Sequence, residues 1–223
     1  GNRRVRRVDA QGRISTLAGD GKEQSWSGRR PAYQASLKPV DLALDLQGRL
    51  LVLDELGPRL LRLETDSTLT VLVQFDPGSQ LKALSVDPQG RILVADYAQR
   101  RVVVLQDQAS PLPLAGNGLL RASGEGGPAL NASLYQPFGL AYDTRGNLYI
   151  ADRRNHLVRR VRADGIIERV AGTGMPGFGG EGGSARLALL NQPAGLAFDT
   201  QGNLYIADSG NHRVRTLSPD GTI

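Results

Sequence analysis

Two histidines, one glycine-rich run and a recurrent set of arginines are the residues of this 223-residue sequence whose types and spacing invite chemistry. His156 and His212 each follow an aspartate closely (Asp152, Asp208), where an imidazole could serve as a base or a metal ligand. Residues 172–177 (GTGMPG) match G-x-G-x-x-G after a strand-like run, a pattern that holds a phosphate when it opens a helix. Arginines gather at Arg4, Arg6 and Arg7, at Arg159, Arg160 and Arg162, and at Arg213 and Arg215. With a net charge of +5, they offer a basic surface to nucleic acid or anionic membranes. Cysteine is absent, so disulfides and thiolate metal sites are excluded.

Each of these features meets the same objection, because each obeys an internal period. Residues 193–208 read PAGLAFDTQGNLYIAD and residues 137–152 read PFGLAYDTRGNLYIAD. Weaker copies run over 39–54 (PVDLALDLQGRLLVLD) and 81–96 (LKALSVDPQGRILVAD). The closing aspartates stand at 54, 96, 152 and 208, at spacings of 42, 56 and 56. Periods of roughly 20–50 residues indicate solenoids or propellers.

Within a copy, an apolar run, an Asp-x-x-Gly turn and a second apolar run make a hairpin. A third strand follows with period-2 alternation, as in His212-Arg213-Val214-Arg215-Thr216-Leu217, then a second turn and a fourth strand. Four antiparallel strands per unit form a propeller blade. This predicts an all-β chain, a β-propeller of four-stranded antiparallel blades. A partial blade is expected at 1–19, blades at 39–73, 81–116 and 137–172, and an incomplete blade at 193–223. The arginines then read as the solvated face of third strands, and the 172–177 glycines as a recurring blade-to-blade loop.

The unit resembles the NHL repeat, whose naming tripeptide stands here as Asn155-His156-Leu157, with Asn211-His212-Arg213 as the next copy. The resemblance implies a propeller, in a family of mostly binding modules with some enzymes. NHL propellers commonly have six blades. Residues 1–14 repeat the phase of residues 210–223. About four blades are therefore covered, to be completed within a longer propeller, by association between chains, or by a small ring in which residues 14–18 finish the last blade. Lyase-type members use a cluster of inward histidines with metal, which two histidines do not assemble.

Function is expected where the repeat is broken. Loops joining strands two and three share a face with the blade-to-blade connections, the usual location for binding. On that face the consensus-breaking residues are Trp26, Arg29, Arg30, Tyr97, Gln99, Arg153, Arg154 and Phe178. The expectation is a non-catalytic binding or scaffold module with no cofactor, facing a protein or peptide partner, or a saccharide. The alternatives are a propeller lyase or hydrolase with a channel metal, and an RNA-binding module. No apolar run approaches a membrane span. The repeat style resembles bacterial exported or cell-surface arrays, which favours an extracytoplasmic place.

Overall fold

The computed structural model describes residues 2–105, 110–120 and 123–223. Strands dominate, joined by turns and three-residue 3-10 segments, and no helix among these residues could cross a membrane. Strands β1 (Val5–Val8) and β2 (Ile14–Ala18) form the first antiparallel sheet. Strand β3 (Arg29–Pro31) leads into the second, made of β4 (Pro39–Leu44), β5 (Leu50–Asp54), β6 (Arg59–Leu63) and β7 (Thr68–Gln74). The third contains β8 (Leu81–Val86), β9 (Ile92–Asp96), β10 (Arg101–Leu105) and β11 (Leu112–Ala115). The fourth contains β12 (Pro137–Tyr142), β13 (Leu148–Asp152), β14 (Leu157–Val161) and β15 (Ile167–Ala171). The fifth contains β16 (Pro193–Phe198), β17 (Leu204–Asp208) and β18 (Arg213–Leu217). Apart from β3, which pairs with β7, each sheet is a meander in sequence order, the blade geometry the repeat predicts.

Two aspartates per repeat fix the local chain. The hairpin aspartate accepts two backbone N–H groups with one carboxyl oxygen: Asp143 from Arg145 and Asn147, Asp199 from Gln201 and Asn203. Its turn ends on a glycine with positive φ (Gly146 +79°, Gly202 +87°), which costs no side-chain clash. The closing aspartate is fully buried and ties the start of strand one to the turn after strand two. Asp152 accepts from the Tyr135 N–H and the Asn155 side chain, and Asp208 from Asn191 N–H and the Asn211 side chain. Beyond it, His156 and His212 take the left-handed conformation (φ 55°), which histidine tolerates better than bulky apolar residues do.

Apolar side chains of successive sheets interlock into four clusters. One joins the first and second sheets through Val5, Leu37, Leu61 and Leu69. The others join the second to the third, the third to the fourth, and the fourth to the fifth. Each fully buried leucine contributes about 1.5–3 kcal/mol. The innermost strands β4, β8, β12 and β16 touch in that order around a channel. Strand β2 pairs with β1, and β18 pairs only with β17 among the described strands. The small closed ring is therefore not formed, because β1, in the repeat phase of β18, takes the place beside β2.

The long connections serve the blade that follows them. Strand β3 runs beside β7, and Gly126 and Gly182 donate to Ile167 and Ile223, which donate back to Gly127 and Gly183. An outer edge strand, otherwise a template for aggregation, is thus covered. The third sheet has only a short lead-in, and β11 has no such cover among the described residues.

A buried arginine fastens each long connection. Arg59 donates to the carbonyls of Trp26 and Ser36, Arg159 to those of Ser123 and Ser133, and Arg215 to those of Gly179 and Leu189. These carbonyls occupy equivalent places, six residues before and four after Ala32, Ala129 and Ala185. Arg159 and Arg215 are 1% and 3% exposed, which corrects the expectation that they form a solvated strand face. Their guanidinium groups are desolvated because the connection supplies carbonyl acceptors and the carboxylates of Glu125 and Glu181.

Candidate binding site at the channel mouth

The consensus-breaking residues fall into three separate groups. Trp26, Arg29 and Arg30 lie at the outer edge of the second sheet. Trp26 is buried and donates its indole N–H to the Ser36 carbonyl, while Arg29 pairs with Asp66 and Thr68. Arg30 lies 5.6 Å from the Trp26 ring. Phe178, in the connection before the fifth sheet, lies under Arg213 at 3.9 Å and Arg215 at 5.1 Å. The third group sits where the inner strands converge, and it contains Tyr97, Gln99, Arg153 and Arg154.

The third group is continuous from blade to blade. Glu55, Tyr97 and Arg153 each follow a closing aspartate, so they occupy one column of the repeat. Lys82 and Phe138 occupy another, the second residue of an innermost strand. Lys38 and Lys82 hold Glu55 at 2.8 and 2.7 Å. The Lys82 ammonium lies 5.8 Å from the Tyr97 ring, and that ring meets Phe138 edge to face at 6.4 Å. Arg153 closes the series 5.0 Å over Phe138. Cation–π contacts of this kind contribute about 0.5–1 kcal/mol where exposed and more when desolvated.

The electrostatics around this series are lopsided. Burial pushes the Glu55 carboxyl up, but the two lysine ammoniums outweigh it and hold it below the usual range. One carboxylate thus serves two lysines. Arg153 makes no ion pair among the described residues, and its Nε is buried without a partner. Arg154 bonds the Gln136 side chain, and Arg100 bonds the Gly118 carbonyl beside Tyr135. The channel beneath has a volume of about 290 Å³ and is lined by Asp41, Lys82, Phe138, Gly139 and Leu196, among others. Burial pushes the Asp41 carboxyl up, against N–H bonds from Leu84 and Leu42.

Other sequence candidates resolve into structural roles. The His156 Nδ1 accepts the Gln192 N–H, and burial, then Arg154, lowers its pKa. In the G-x-G-x-x-G run, Gly172 N–H donates to the Ala185 carbonyl, and its missing Cβ leaves room for the His156 carbonyl. The run leads into isolated bridges (Pro176 with Leu190, Gly179 with Leu189), not into a helix N-terminus. The matching connection at 116–129 includes residues 121–122, which lie outside the described residues. Lys82 and Phe138 were missed by sequence reasoning. Comparing Val40, Lys82, Phe138 and Ala194 as one repeat column would have found them.

The NHL repeat pattern matches residues 134–161 and 190–217. NHL repeat-containing protein 2 of Gallus gallus is 30% identical over 154 residues, 64% of this chain and 21% of that protein. The chain thus spans about a fifth of that relative. A Bacteroides thetaiotaomicron structural-genomics protein of unknown function superimposes with TM-score 0.78 at 19% identity, over 97% of this chain and 54% of that one. An auxiliary nutrient binding protein of the same organism gives TM-score 0.74 at 18% identity, over 97% and 53%. The repeats, the meandering blades and these likenesses agree: the chain carries NHL repeats at 134–161 and 190–217 on a β-propeller fold.

Proposed function

We propose that this chain is a non-catalytic binding module whose ligand docks at the channel mouth. One observation carries the reading: the residues that leave the repeat consensus at two columns, Glu55, Tyr97 and Arg153 with Lys82 and Phe138, touch one another in series across three blades. Residues that only build a blade repeat in every blade, as the closing aspartates do. These differ in every blade, yet they converge on one half-exposed surface above a cavity near the lower end of small-molecule pocket sizes. The likeness to a nutrient binding protein supports a binding role at the level of the fold. A saccharide or a peptide side chain suits the mixture of flat apolar rings and charged donors.

The test is a screen of isotope-labelled protein against mono- and disaccharides, amino acids and short peptides, neutral and charged. Amide shifts confined to Lys82, Tyr97, Phe138 and Arg153 are expected for at least one compound. Shifts confined to the Phe178 connection or the Arg29 edge would overturn the placement.

A further inference from the structure

Resting on that placement, we infer that the channel mouth selects a small oxyanion-bearing ligand, a carboxylate or phosphate on a compact ring, with Arg153 as the anchoring cation. Three observations and the chemistry of the guanidinium group converge on this ligand class. Arg153 makes no side-chain hydrogen bond or ion pair among the described residues; its Nε is buried, and the terminal nitrogens of this half-buried side chain are the donors left for an outside acceptor. A guanidinium presents several donors in a planar fork that matches carboxylate and phosphate oxygens. Phe138 lies beneath that fork and holds it by its ring face. Tyr97, edge to face with Phe138, extends the apolar platform on which a ring can rest.

Lys82 adds the second cation. It reaches Glu55 but shares that carboxylate with Lys38, so the trio Lys38, Glu55 and Lys82 retains a net positive charge. Lys82 also lines the cavity, as Phe138 does. An oxyanion at Arg153 therefore sits at one end of a series whose other end is the Lys82 ammonium, the two cations joined through two aromatic rings. Asp41 lines the same cavity farther along β4, where it bonds the Leu84 and Leu42 N–H groups. It disfavours an anion deep in the channel and so keeps the charged group at the mouth, with the neutral body of the ligand below. The cavity volume of about 290 Å³ limits the occupant to one ring-sized unit.

The decisive experiment is calorimetric titration of the chain with glucuronate, glucose 6-phosphate and glucose, in low and high salt. The two anions are expected to bind at least tenfold tighter than glucose, with the difference shrinking as salt rises. Glucuronate against glucose 6-phosphate separates carboxylate from phosphate as the preferred group. Arg153→Gln is expected to remove the anion preference, Arg153→Lys to keep part of it, and Phe138→Leu to weaken all three ligands together. Thermal unfolding of each variant controls for folding. Equal affinity for glucose and the anions, or an anion preference unchanged in Arg153→Gln, overturns the inference. Mouth shifts with neutral compounds alone would reject the oxyanion while leaving the binding site in place. No mouth shift with any compound would reject both.

Discussion

The Arg59 guanidinium lies 4.2 Å over the ring of Trp26 and also donates to the Trp26 carbonyl, so one buried cation fixes both the side chain and the backbone of the same residue. Arg59 is paired with Asp54 at 2.8 Å, and both are almost fully buried. It stands at the strand position of Leu157 and Arg213, whereas Arg159 and Arg215 stand two residues further on. Two strand positions thus deliver a guanidinium to the same pair of carbonyls.

Removing this cation strands a carboxylate. Arg59→Leu leaves Asp54 buried without its partner and the Trp26 carbonyl without its donor, while the Ser36 carbonyl keeps the Trp26 indole, and a loss of about 3–5 kcal/mol is expected. Arg159→Leu leaves carbonyls unpaired beside Glu125, which is half exposed and regains water, so about 1–3 kcal/mol is expected. Urea denaturation of the two variants checks the order. A larger loss in Arg159→Leu would mean that the acceptors, and not the ion pair, dominate.

The blades were legible in the sequence because their causes are local. An Asp-x-x-Gly turn and a period-2 strand act within a few residues, so residues 137–152 and 193–208 announce their hairpins directly. The clamps were not legible, since Arg215 finds its acceptors 26 and 36 residues away, and alternation alone makes it look solvated. The channel mouth was legible by half. Tyr97 and Arg153 stand out beside the closing aspartate, but Phe138, which joins them, looks like one more apolar strand residue. Trp26 stood out as the sole tryptophan, and its burial under Arg59 depends on a contact 33 residues distant.

The buried carboxyl of Asp152 gives a signed pH prediction. Burial pushes its pKa up to about 6, against bonds from the Asn155 side chain and the Tyr135 N–H. The unfolded chain releases this proton near pH 4, so between about pH 4 and 6 the folded state holds the extra proton. Stability from this group therefore falls as pH rises through that window, by at most about 3 kcal/mol, and is level above it. Asp152→Asn keeps an oxygen for the Tyr135 N–H and cannot ionise. Unfolding free energies at pH 4.5 and 7 should show the difference between parent and variant changing with pH. A constant difference would place the folded pKa near the unfolded one.

Strand β11 carries its own protection. Its outer edge lacks the cover that the connections give β7 and β15, among the described residues. Pro113 lies within β11 and Pro111 just before it, and proline offers no N–H to an incoming strand. The double variant Pro111→Thr, Pro113→Thr restores two donors on a β-favouring segment. It is expected to self-associate at concentrations where the parent does not, as read by light scattering. An unchanged mass would mean that the edge is shielded by other means.

Gly139 and Gly195 occupy the same repeat position but meet different neighbours. A Cβ on Gly139 would collide with the Ala194 carbonyl of β16, and backbone cannot step aside as a flexible side chain can. A Cβ on Gly195 would meet only the Ala207 methyl at 3.5 Å, an ordinary contact. Gly139→Ala must therefore part β12 from β16, at a cost of about 1–3 kcal/mol or more. Gly195→Ala should stay within about 0.5 kcal/mol. Both glycines line the channel, so the first variant should also disturb ligand binding at the mouth while the second leaves it intact. Thermal unfolding of the pair provides the check. Were Gly195→Ala as costly as Gly139→Ala, the inner face of β16 would be packed against a further strand in solution, and sedimentation of the parent chain would show whether a second copy supplies it.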